Sequence, residues 1–177
     1  MQEVITQILS HVPTWVWAIL VFIIVMGVRQ SRDQSMSRGR LLILPIVWLA
    51  FGFWGVETTF GLHAAPLLAW VAGLAASLAL VRRSGWPGGA YAEGKAEAQR
   101  YFVPGSWTPM ALMLTIFCAK FALGMSLAMN PALAQQTAAA IGFSALFGAL
   151  SGAFLGRSRN ILARGVRPAA GLCEAQA

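Results

Sequence analysis

Five apolar stretches follow one another along the chain, at about residues 5–28, 41–60, 64–81, 109–129 and 137–155. Each approaches the ~20 residues that a helix rising about 1.5 Å per residue needs to cross the ~30 Å hydrocarbon of a bilayer. This block pattern constrains the fold more than any motif does. Only 11% of residues are charged and 58% are hydrophobic, whereas a soluble domain carries about 25% charged residues. A water-soluble fold of this size could not cover its surface with so few charges. The expectation is an all-α, polytopic membrane helix bundle with five transmembrane helices, in one transmembrane domain over residues 1–177.

The punctuation supports the blocks. Pro13 lies near the start of the first segment, and Trp15 and Trp17 suit an interfacial aromatic belt. Pro45 lies one turn into the second segment. Asn130 and Pro131 end the fourth, because proline cannot continue the helical ladder. Glu3 and the lack of a basic start speak against a cleavable signal peptide.

Charge sets the direction. Of the 13 Lys and Arg, all but Lys120 fall in residues 29–40, 82–108 and 156–177. Residues 1–4, 57–63 and 130–136 hold none. The positive-inside rule then gives N-out/C-in: N-terminus periplasmic, C-terminus cytoplasmic, in a bacterial inner membrane. Topology also accounts for the net charge of +7, so nucleic acid is not the expected partner. Within loop 82–108, WPGG signals a turn. AYAEGKAEAQRYFV reads as a short cytoplasmic hairpin turning around residues 93–98, with Tyr91, Tyr101, Phe102 and Val103 as strand residues. A helical turn through AEGKAEAQR competes with it, because Ala, Glu and Lys favour helix.

Two features point inward. Ser144, Gly148, Gly152 and Gly156 recur every four residues in the last segment. Such a stripe lets two helix backbones approach closely in lipid. It faces either the fourth segment, where Gly124 and Ala128 offer a matching small pair, or a second copy of the chain or a partner membrane protein. Internal packing is the preferred reading.

The second feature is FCAKFALG, residues 117–124, which sets Lys120 alone in an apolar run. A lysine at mid-depth costs about 2.5–3.5 kcal/mol on insertion scales. It therefore asks for a partner or water. Glu57 is the nearest carboxylate in the topology, about 8–10 Å further out by helical rise. Helical side chains also lean toward their N-terminus, here the cytoplasmic end. Backbone carbonyls, Thr115, Ser126 or Ser144 are alternative partners. Lys120 is either satisfied structurally within the bundle, the holder of an anion, lipid headgroup or small solute, or part of a relay; a relay usually shows more than one buried ionisable group.

Other candidates are weaker. Arg29, Arg32, Arg38, Arg40, Arg157 and Arg159 are placed to meet anionic lipid headgroups at about 1 kcal/mol each. His11 and His63 both fall on the outer side, where they could ligate haem or a metal, but two histidines without a supporting cluster are weak evidence for it. Met125 and Met129 read as apolar filler. Cys118 and Cys173 form no C-x-x-C and no disulfide framework. No nucleotide loop, zinc signature or nucleophile elbow is present. Neither catalytic residues nor a cofactor nor a metal is therefore expected, and the chain does not read as an enzyme.

HVPTWVWAIL, GVRQSR, RLLILP, VPGSWTPMALML and FCAKFALG together resemble a family of small bacterial inner-membrane proteins of unknown function. The RQSR loop and the VPGSW lead-in to the fourth segment are the most specific pieces. The resemblance implies a multi-pass inner-membrane protein and brings no activity. The functional expectation is a membrane protein with an internal site around Lys120. An assembly factor using the glycine stripe is the alternative, and a haem-binding electron carrier is the least supported.

Overall fold

The computed structural model describes residues 14–93 and 100–164. The elements are α1 (Thr14–Gln30), β1 (Gln34–Ser37), α2 (Arg38–Phe60), α3 (Ala64–Ser84), β2 (Tyr91–Glu93), β3 (Arg100–Val103), α4 (Thr108–Met129), a 3₁₀ turn (Pro131–Gln135) and α5 (Thr137–Leu162). Helices α2 to α5 are long and apolar enough to cross a membrane. The apolar part of α1, Val16–Gln30, is shorter. Residues 1–13, which carry the first part of the expected first span and His11, lie outside the described residues.

The helices overrun the apolar blocks at their basic ends. Helix α2 begins at Arg38 rather than at Leu41, α3 carries Arg82 and Arg83 in its last turn, and α5 runs through Arg157 and Arg159 to Leu162. Hydropathy marks where lipid ends, not where the hydrogen-bond ladder ends. No glycine or proline interrupts residues 157–162, and cations suit the last turn of a helix. Helix α3 stops at Gly85, whose φ of 64° places it in the left-handed region and lets its N–H donate to the Arg82 carbonyl.

The expected hairpin forms: β2 pairs antiparallel with β3, Tyr91 opposite Phe102. The turn around 94–99 lies outside the described residues. The sheet has a third strand that the pattern did not announce. Strand β1, in the loop between α1 and α2, pairs antiparallel with β3 from Gln34–Val103 to Ser37–Arg100. The order is β1-β3-β2. Leu41, Ala90, Ala92, Tyr101, Val103 and Ile161 form its core against the ends of α2 and α5.

Helix α5 is the centre of the bundle. In its apolar window 44% is buried, against 28% for α2, 17% for α4 and 11% for α3. Helix α3 packs along one side of α5 and α2 on another, while α4 packs chiefly on α1. Outward-facing Phe22, Ile43, Ile46, Trp54, Leu68 and Leu80 are exposed, as lipid-facing positions are.

The small-residue stripe packs inside the chain, but on α3 and not on α4. A methyl group on Gly148 would overlap the Trp70 carbonyl, and one on Gly152 the Leu74 carbonyl. A methyl group on Gly156 would come within 2.9 Å of the Val81 side chain. Gly73 reciprocates from α3 against the Ala145 carbonyl. Gly124, the expected counterpart on α4, has open space around it among the described residues, and Ala128 is exposed. Proximity in the chain does not choose between helices α3 and α4. The glycine placed to interlock does, and that is Gly73.

Three basic segments meet at one end of the bundle. The sheet joins the α1–α2 loop to the α3–α4 loop. Asp33 Oδ1 accepts from the Gly105 N–H at 2.7 Å, and the Ser106 N–H donates to the Gln30 carbonyl at 3.2 Å. Asn160 Nδ2 donates to the carbonyls of Val81 and Trp86, each at 2.8 Å. Arg164 Nη2 donates to the Gly85 carbonyl at 2.8 Å.

Candidate functional site

Lys120 lies about 18 Å along α4 from Thr108, roughly midway in the 22-residue helix. Its side chain is half-buried and leaves α4 to reach two other helices. Nζ stands 4.4 Å from the centroid of the Phe147 ring on α5. On α2 it occupies the space beside Gly55, where a methyl group would overlap it. Gly55 therefore acts as a notch. A cation over a desolvated ring gains about 2 kcal/mol, which offsets much of the ~3 kcal/mol insertion penalty. The ring does not satisfy the three N–H donors of the ammonium. Among the described residues, none accepts a hydrogen bond from Nζ and no carboxylate pairs with it.

The other expected partners fall elsewhere. Glu57 is exposed. It lies two residues beyond Gly55, about 200° around α2, so direction rather than depth separates it from Lys120. Thr115 Oγ1 donates to the Ala111 carbonyl of its own helix at 2.8 Å. Ser126 is half-buried on α4. Ser144 is fully buried, its Oγ has no hydrogen-bond partner, and it lies one turn before Phe147 on α5. Gly55 and Phe147 were not legible as site residues. A glycine and a phenylalanine in apolar runs carry no signal until three helices are assembled.

The chain belongs to a family of unknown function, DUF6622. The family profile matches residues 1–170. No curated protein and no solved structure matches the chain. Membership agrees with the expectation of a family of unknown function, and it assigns no activity to Lys120.

The remaining candidates in this DUF6622 chain separate by exposure. Arg29, Arg32, Arg40 and Arg159 are exposed. Arg38 is exposed too, yet Nε donates to the Tyr101 hydroxyl at 3.0 Å. Arg157 departs from the expected headgroup set: it is 5% exposed, and its guanidinium lies 5.5 Å from the Trp86 ring centroid. The reason is geometric, since the bend from α3 into the sheet covers this face of α5. His63 is exposed at the start of α3. Met129 is 81% exposed and Cys118 is exposed. Among the described residues, no three His, Cys, Asp or Glu side chains gather in a metal-binding group. An apolar groove of about 420 Å³ opens between α2 and α3, lined by Ile46, Leu49, Ala50, Phe53 and Trp70.

Proposed function

We propose that this is a non-enzymatic, five-span protein of the bacterial inner membrane, in which Lys120 holds an anionic group of a small solute or lipid within the bilayer. The N-terminus is periplasmic and the C-terminus cytoplasmic. The observation that carries the site is the ammonium itself. Lys120 is aimed inward at Gly55 and Phe147, and no described residue offers it an acceptor or a counter-charge. A cation that only had to be tolerated in lipid would snorkel toward an interface. The topology is supported by the gathering of three basic segments at one end, with loops free of Lys and Arg at the other.

The stripe of the alternative reading is already engaged by α3, so an assembly role through those residues would compete with the fold. The test is native mass spectrometry of full-length protein extracted from its own membrane. Wild type is expected to retain an anionic adduct that Lys120→Met loses. A wild type without any adduct, or an adduct unaffected in a folded Lys120→Met variant, overturns the reading. Reporter fusions at both termini test the orientation, and a cytoplasmic N-terminus overturns it.

A further inference from the structure

We infer that Arg157, backed by Trp86, forms a second and separate site, one for a phosphate or phosphate-ester anion at the basic end of the bundle. Arg157 lies about 30 Å along α5 from Thr137, the thickness of the hydrocarbon. This places it at the depth of lipid phosphates. Arginine at that level ordinarily extends into the headgroups. Arg157 instead turns inward, with 5% exposure and with Nε buried and lacking a hydrogen-bond acceptor.

The surroundings are built, not loose. Trp86 covers the guanidinium at 5.5 Å. The Trp86 carbonyl is fixed by Asn160 Nδ2, and the neighbouring Gly85 carbonyl by Arg164 Nη2, each at 2.8 Å. Those two hydrogen bonds hold the wall of the site without using Arg157. The charged side chains nearby on α3 and α5 are Arg82, Arg83, Arg159 and Arg164. Asp33 gives one oxygen to the Gly105 amide, and Glu57 lies in the last turn of α2, at the other end of that helix from the sheet. Among the described side chains, no carboxylate pairs with Arg157. A buried cation is expected to be matched by an anion. A planar guanidinium with one face on an aromatic ring presents its N–H edge, which suits the oxygens of phosphate. The source is either a lipid headgroup or free phosphate, and the chemistry is shared.

The experiment uses full-length protein in neutral detergent. Native mass spectrometry follows binding of phosphatidylglycerol and of phosphatidylcholine, with and without inorganic phosphate. One phosphatidylglycerol per chain is expected, held at least tenfold more tightly than phosphatidylcholine. Arg157→Gln is expected to weaken it at least tenfold, and the exposed control Arg83→Gln less than twofold. Displacement by millimolar inorganic phosphate assigns the site to free phosphate; binding that resists displacement assigns it to the lipid. Equal binding of the two lipids, with no effect of inorganic phosphate on either binding or melting temperature, overturns the inference. So does unchanged phosphatidylglycerol binding in folded Arg157→Gln. If Arg157→Gln does not fold, Arg157→Lys keeps the charge and removes the planar fork. Several-fold weaker binding in that variant supports the site, and equal binding overturns it. All of these titrations use the Lys120→Met background, so an anion held at Lys120 is not counted and the two sites fail or stand separately.

Discussion

The two seams of α5 follow opposite rules. Toward α3 it closes backbone to backbone, through Gly73, Gly148, Gly152 and Gly156. Toward α4 the contact is slight, and what crosses it is a lysine ammonium over the Phe147 ring, with Leu123 packed nearby. In lipid no hydrophobic force drives helices together, so association rests on close packing and on polar contacts. The first seam uses close packing along its apolar length, and Asn160 adds a hydrogen bond to the Val81 carbonyl only at its basic end. The second accepts looser packing around a cation.

The largest effect should come from breaking the tight seam. Gly148→Leu and Gly152→Leu each push a side chain into the α3 backbone at Trp70 and Leu74. Backbone cannot move aside as a flexible side chain does, so each variant should lose about 3 kcal/mol or more. Unfolding in mixed micelles measures it. Gly124→Leu, with open space around its site, should change stability by less than about 0.5 kcal/mol. Equal losses at positions 124 and 148 would mean that the stripe faces α4 after all.

That distinction marks how far the residues alone could lead. Block length exposed the four helices long and apolar enough to cross a membrane, because the hydrocarbon thickness sets a length that few soluble helices keep. Four-residue spacing exposed the stripe, because lipid-embedded helices need small contacts. It did not expose the partner: Gly124 and Ala128 look as suitable as Gly73 until the angles between helices are fixed. Strand β1 was illegible for a different reason. QSMS has no apolar alternation strong enough to read, and it is a strand only because β3 runs beside it. Lys120 announced itself as an anomaly, whereas its neighbours Gly55 and Phe147 are contributed by two distant helices. Arg157 read as one headgroup cation among several, since burial at a helix end depends on a loop folding back over it.

The middle effect tests the loose seam. A double-mutant cycle with Lys120→Met and Phe147→Leu isolates the ammonium–ring contact from the apolar packing of the two side chains. The 4.4 Å separation in a partly desolvated place predicts a coupling of about 1–2 kcal/mol. Lys120→Met alone should lie near neutral, because the lost ring contact and the removed insertion penalty are of similar size. A coupling below about 0.3 kcal/mol would show two independent residues and would leave the second seam without its polar tie.

The smallest effect on stability is also the sharpest for function. Gly55→Ala places a methyl group on the ammonium of Lys120, as Gly148→Leu places a side chain on α3, but the atom it meets is the free end of a flexible chain. Lysine can swing aside through its four-carbon stem, so the loss should stay below about 1 kcal/mol. The ammonium would then leave the α2 notch and shift relative to the Phe147 ring. If Lys120 merely ties helices together, binding of any anion is indifferent to that shift. If it holds an anionic group in place, the adduct retained by the wild type should weaken several-fold while the melting temperature hardly changes. Such a split separates the position of the charge from its presence, which Lys120→Met alone cannot do.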